Sequence, residues 1–142
     1  MACELCDGVG GELIWRDAKC RTVRVIDVDY PAYCRVIWHD HAKEMTDLAP
    51  EDRLHLMRIV FVVEQVLRDL LHPDKINLAS LGNMTPHLHW HVIPRFGDDR
   101  HFPRPVWGQA AERTWVARPI AAQSFAQKLR GALNDQIGDD IG

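Results

Sequence analysis

His87-Leu88-His89-Trp90-His91-Val92-Ile93-Pro94-Arg95 sets three histidines at alternate positions with apolar residues between them. Extended backbone turns successive side chains to opposite faces. A strand over residues 87–94 therefore predicts His87, His89 and His91 on one open face, each about 6.5–7 Å from the next. Leu88, Trp90 and Val92 then point the other way, into a core. Three imidazoles at period two are costly to explain as packing, and two chemistries suit them. Imidazoles are common zinc ligands, and His-x-His is a familiar ligand pair. A neutral imidazole is also a nucleophile that can attack phosphorus and split one hard step into two. A second histidine two residues on can then hold a phosphate oxygen or protonate the leaving group. The pattern itself leaves both chemistries open.

The flanking sequence supplies the rest of a fold. Residues 12–16 and 20–28 read as two strands, the second alternating before Asp29-Tyr30-Pro31 breaks it. Tyr33 to Trp38 is a third, β-rich strand. A long helix follows, with Thr46 and Asp47 offering capping oxygens, Pro50 suiting its first turn, and Glu51 and Asp52 at the positive end of its dipole. Leu54, Met57, Phe61 and Leu67 keep helical spacing, and Pro73 ends the helix. Lys75 to Leu81 is a fourth strand, Gly82-Asn83 a turn, and the histidine stretch a fifth strand. Phe96 to Arg113 reads as loop, and Gln123 to Leu133 as a terminal helix. Strands on both sides of one long helix, without regular alternation, predict a single α+β domain over residues 1–142, built on an antiparallel sheet.

Bulk properties narrow the partners. The chain has 142 residues, enough for one domain with a core that needs no disulfide staples. Its net charge of −3 argues against non-specific nucleic-acid binding, which needs clustered cations. No apolar run is long enough to span a membrane, and the N-terminus lacks the basic and apolar segments of a secretory signal. The expectation is a cytoplasmic protein. There its four cysteines suggest metal ligands or buried thiols before disulfides.

The run from His87 to Arg95 resembles the signature of the histidine triad (HIT) family, His-φ-His-φ-His-φ-φ with φ apolar, often followed by Pro-Arg. The similarity extends to Val36-Ile37 on a strand, then a histidine, then a helix, and covers residues 3 to 107. It implies an α+β domain around a five-stranded antiparallel sheet with one long central helix and a C-terminal helix, commonly paired as a homodimer. It implies hydrolysis or transfer of nucleoside monophosphate groups from phosphoramidates, dinucleoside polyphosphates or related adenylates. By the same resemblance His89 is the nucleophile and His91 contacts the phosphate and helps the leaving group. Asn83 and the backbone near Met84 are candidate donors to the phosphoryl oxygens. Asp27 or Asp29 is a candidate for the ribose hydroxyls, and Asn77 for a further polar contact. Trp107, Trp115 and Phe102 are candidates to cover a base. Two departures stand out. Gly82-Asn83-Met84-Thr85-Pro86 replaces the family's Gly-Gln-Ser/Thr, and Tyr33 stands where many members carry a histidine.

Cys3-Glu4-Leu5-Cys6 has the spacing of half a zinc site. Some HIT proteins carry such a pair, completed by a histidine after the third strand and the first triad histidine. That resemblance implies Cys3, Cys6, His41 and His87 as ligands of a structural zinc, with His39 as the alternative to His41. Cys20 and Cys34, inside strands, read as buried small hydrophobes.

Overall fold

The computed structural model describes residues 2–142. Five strands form one sheet in the order β1-β2-β3-β5-β4, with every neighbouring pair antiparallel. They are β1 (Glu12–Arg16), β2 (Cys20–Arg24), β3 (Cys34–Trp38), β4 (Lys75–Ala79) and β5 (His89–Arg95). A short α1 (Glu4–Asp7) precedes them, the long α2 (Pro50–Leu71) joins β3 to β4, and α3 (Ala122–Gln136) follows the loop after β5. Helices α2 and α3 cover one face of the sheet. Between them lies the core, with Trp15, Val36, Leu56, Ile59, Val63, Leu88, Val92 and Leu129 among its members. Among the described residues no helix is long and apolar enough to cross a membrane.

Several boundaries differ from the sequence reading. Strand β2 stops at Arg24, not Val28. The last backbone bond in line with its ladder is Val25 N–H to the Tyr33 carbonyl, and Asp27 then turns the chain by accepting the Asp29 N–H on its own side chain. Strand β5 starts at His89, so His87 lies just before the sheet ladder. Leu54 and Phe61 are exposed, not core. The stripe that packs on the sheet is Leu56, Ile59, Val60, Val63 and Leu67. The unbroken apolar run from Ile59 to Val63 allowed either stripe, and contact with β3 and β5 selects this one. Asp47 does not cap α2. Its carboxylate instead accepts the N–H groups of Lys43 and Glu44 in the turn before the helix. The helix begins with Pro50, which has no N–H to satisfy. It ends at His72 in the left-handed region (φ 48°), with Pro73 beyond.

Candidate functional site

Opposite the helices, paired residues of adjacent strands share the other face of the sheet. One row across it reads Val23, Arg35, His91, Ala79, and a second pairs Arg21, Ile37 and His89. The second and third triad histidines, both on β5, are buried, His89 at 6% exposure and His91 at 4%, so the face expected to be open is covered. The cover comes from two sides. Leu5 and Cys3 of the N-terminal segment pack on Val23 and Ile37, while Val106 packs on Tyr33 and Ile93.

The hydrogen bonds set the histidine tautomers. His89 Nδ1–H donates to the carbonyl of His87 at 2.6 Å. A carbonyl can only accept, so Nε2 of the neutral ring keeps its lone pair. Burial holds His89 below the ordinary histidine range, which keeps it neutral and nucleophilic. His87 Nε2–H donates to the Trp38 carbonyl at 2.6 Å, which frees its Nδ1. His91 Nδ1 meets the Tyr33 hydroxyl at 2.6 Å. The Tyr33 oxygen also has the donor-only side chains of Arg35 and Trp107 beside it. Its own hydrogen therefore goes to His91, whose Nε2–H is left to donate toward the site. Burial, then the neighbouring His89 and the Arg35 charge, which both disfavour a second cation here, push His91 down to about 3. Burial raises Tyr33 to about 12.

The three histidines do not act as one evenly spaced row. The rings of His89 and His91 stand with centroids 4.8 Å apart, edge to face, closer than backbone spacing suggests because the rings lean together. His87 turns away from them. Its free Nδ1 lies 3.4 Å from both Cys3 Sγ and Cys6 Sγ, and Cys6 Sγ lies 3.5 Å from His41 Nδ1. The four ligand atoms of Cys3, Cys6, His41 and His87 all fall within 4.8 Å of one another. A tetrahedral ion with bonds of about 2.0–2.1 Å to nitrogen and about 2.3 Å to sulfur separates such ligands by about 3.5 Å. The observed spacing fits, so these residues could hold a metal ion. His39 is occupied elsewhere, between Arg21 Nη1 at 3.1 Å and the Asp17 carbonyl at 2.9 Å. Arg21 binds the carbonyls of Leu5, Gly8 and Val9 and so fixes the segment that carries the cysteines. Cys20 and Cys34 are fully buried in strands.

The remaining candidates are scattered more widely. Asn83 and Met84 lie on an exposed loop, Met84 at 95% exposure, which runs from Gly82 (φ 80°) into His87. Thr85 ties that loop to α1 by donating to Glu4 at 2.7 Å. Asp27 is partly buried near Tyr33. Asp29 is held by Arg100 at 3.7 Å and by Trp115, which donates to its carbonyl. Asn77 is engaged within the protein, its side-chain oxygen accepting Arg95 Nη1 at 2.8 Å. Arg95 and Asp99 form a buried ion pair that pins the loop after β5. That loop brings Trp107 edge-on to His91, centroids 4.8 Å apart, whereas Phe102 sits over Arg95 and Trp115 stacks on Phe96. Arg35 was not among the residues anticipated for the site. Its signal was a lone cation within Tyr33-Cys34-Arg35-Val36-Ile37, at the same strand parity as Tyr33 and Ile37.

The HIT domain family matches residues 10–98. A curated relative, the AP-4-A phosphorylase of Mycobacterium tuberculosis, is 26% identical over 84 residues, which is 55% of this chain and 43% of that protein. The chain thus spans less than half the length of the curated relatives it matches. Among solved structures, a histidine triad protein from Bradyrhizobium japonicum is 30% identical with a TM-score of 0.69, covering 85% of this chain and 90% of the other. One from Marinobacter aquaeolei is 26% identical with a TM-score of 0.72, covering 90% and 92%. A zinc-bound histidine triad family protein from Mycobacterium smegmatis has a TM-score of 0.59 at 20% identity, covering 92% and 89%, and shares the fold.

Proposed function

The chain belongs to the HIT family, and from its site we infer a nucleotide-processing enzyme, a hydrolase or nucleotidyl transferase that works through a covalent nucleotidyl-His89 intermediate. The observation that carries this reading is the 2.6 Å bond from His89 Nδ1 to the His87 carbonyl, which fixes the ring and leaves a buried, bare Nε2. A nucleophile held by the sheet loses little orientational freedom on reaction. In the first step Nε2 bonds to the nucleoside-bearing phosphorus, and the bond from phosphorus to the leaving group breaks with its electron pair. In the second step water, or another acceptor, takes the nucleotidyl group, and the electron pair returns to the imidazole. Charge develops on the phosphoryl oxygens, and His91 Nε2–H stands ready to donate to them. Asn83 and the backbone N–H groups near Met84 are further donors from the approach loop. Asp27 is the partly buried carboxylate available to a ribose, and Asn77 contributes through Arg95 by steadying the loop under Trp107.

Cys3, Cys6, His41 and His87 would hold a zinc ion. With four protein ligands the ion is closed to substrate and structural. These residues then clamp the N-terminal segment to the approach to β5, fixing the carbonyl that orients His89. Leu54 and Phe61, exposed on α2, are available to a second copy of the chain.

Turnover of a panel of adenosine phosphoramidates and dinucleoside polyphosphates tests this reading, using purified zinc-loaded protein and its His89→Ala variant. Wild type turns over members of the panel, while the variant does not and keeps its zinc. No turnover across the panel would leave a nucleotide- or zinc-binding module with this fold. Zinc lost with His89→Ala would make the triad itself a metal site.

A further inference from the structure

We propose that Arg35 holds the leaving phosphate of the substrate and so directs the site toward nucleoside polyphosphates over nucleotides with an uncharged leaving group. The inference rests on the nucleotidyl-His89 reading above. Arg35 is the direct cross-strand partner of His91, on the same face of the sheet. Such partners have Cβ atoms about 4.5–5.5 Å apart, so the guanidinium is within a side chain's length of whatever His91 contacts. It is also poorly matched. A guanidinium carries five donors, yet among the described residues those of Arg35 meet the Gly10 carbonyl, from Nη1 at 3.2 Å, and the Tyr33 hydroxyl oxygen, and no charged acceptor. Its Nε is buried without a partner. No carboxylate of the described residues lies within 4.0 Å of it. Arg24, on the same sheet, also has an unpartnered Nε, but its charge is met by a carboxylate, Glu12 at 2.8 Å, and it donates to the Pro31 carbonyl at 3.0 Å. Desolvating a charge without a counter-charge is costly. A planar fork with donors to spare and no counter-charge, next to the reacting histidines, matches phosphate oxygens.

The chemistry of departure agrees. When the leaving group is a phosphate, the phosphorus–oxygen bond breaks with its electron pair on the bridging oxygen. That oxygen needs charge stabilisation and no proton, and Arg35 supplies it. An amine leaving group must take up a proton as it goes. His91, held neutral by burial and hydrogen-bonded to Tyr33 through Nδ1, is a poor acid for that task. Arg35 is therefore a substrate-specificity residue that touches the group being expelled.

Paired kinetics test the proposal. Wild type, Arg35→Leu and Arg35→Lys are each given a diadenosine polyphosphate and an adenosine 5′-phosphoramidate with an uncharged amine. Leucine suits a strand beside Val23 and should fold, which a thermal melt checks. Arg35→Leu should lower kcat/KM for the polyphosphate by about tenfold or more, as expected for a lost charge-assisted hydrogen bond. The amidate should lose at least about threefold less than the polyphosphate on the same scale, and Arg35→Lys should recover part of the polyphosphate loss. Equal losses on both substrates, or none, would overturn the proposal. If wild type turns over neither substrate, the catalytic reading fails, and calorimetric binding of ADP and AMP then decides the role of Arg35. Tighter ADP binding that Arg35→Leu abolishes supports a phosphate site. Equal affinities in wild type refute it.

Discussion

Replacing Asp99 by asparagine removes one charge from the centre of the loop that follows the triad strand. Asp99 is fully buried and Arg95 is 2% exposed. Oδ2 accepts Arg95 Nε at 2.8 Å and Phe96 N–H at 3.0 Å. Oδ1 accepts Arg95 Nη2 at 3.0 Å, Tyr30 O–H at 3.2 Å, and the N–H groups of His101 and Phe102 at 3.0 and 2.7 Å. An amide NH2 cannot accept, so at least two buried donors lose their partner whichever way the side chain is turned. Each stranded donor costs about 1–3 kcal/mol, and breaking one side of a buried ion pair about 3–5 kcal/mol. These costs overlap, and the expected loss is about 4 kcal/mol out of the roughly 5–15 kcal/mol typical of a domain. Urea unfolding followed by tryptophan fluorescence should show it, with Tm lower by roughly 10 °C. Arg95 and the backbone amides hold the Asp99 carboxyl well below the usual carboxylate range. Its contribution is thus complete above the unfolded value near 4 and is lost as pH falls below that, so wild type should lose stability in acid more steeply than Asp99→Asn. A loss under about 1 kcal/mol at neutral pH would refute the buried-pair account.

Tyr33→Phe removes the hydroxyl that meets His91 Nδ1 at 2.6 Å. It should lower kcat by about tenfold with little change in KM, because it frees the ring without removing a substrate contact; an unchanged kcat would contradict the tautomer assignment. Cys6→Ser should abolish stoichiometric zinc binding and lower Tm, measured by metal analysis and melting, while Cys20→Ser should keep the metal. His91, pushed down to about 3 by burial, should show no imidazole titration by NMR between about pH 8 and 5, against about 6.5 for a free ring. Since unfolding restores the free value, His91 should also cost the fold stability as pH drops from about 6.5 toward about 3.

The alternation from His87 to His91 made the strand and its chemistry legible, because period two survives any packing. The fate of His87 was less so. From the residues alone it belonged with His89 and His91, and only the resemblance to the HIT family detached it. The physical reason lies in a distant contact, its Nε2 bond to the Trp38 carbonyl, which turns Nδ1 toward Cys3 and Cys6. On α2, the run of five apolar residues from Ile59 to Val63 blurred the period, and the sheet chose the buried stripe. The ion pair of Arg95 and Asp99 joins residues at i and i+4 of a non-helical segment, where no periodicity marks them. Arg35 was visible as an odd residue in an apolar strand, but its unpartnered Nε and its lack of a carboxylate are properties of the folded surroundings.

The central claim is that His89 forms a covalent bond to phosphorus, and the most direct measurement is the mass of the protein during turnover. Rapid acid-free quenching with a nucleotide substrate, followed by proteolysis and mass spectrometry, should find a nucleotidyl group on the peptide containing residues 87–95, localised to His89 and absent from His89→Ala. Turnover with no adduct on His89, or an adduct on His91 instead, would contradict the account.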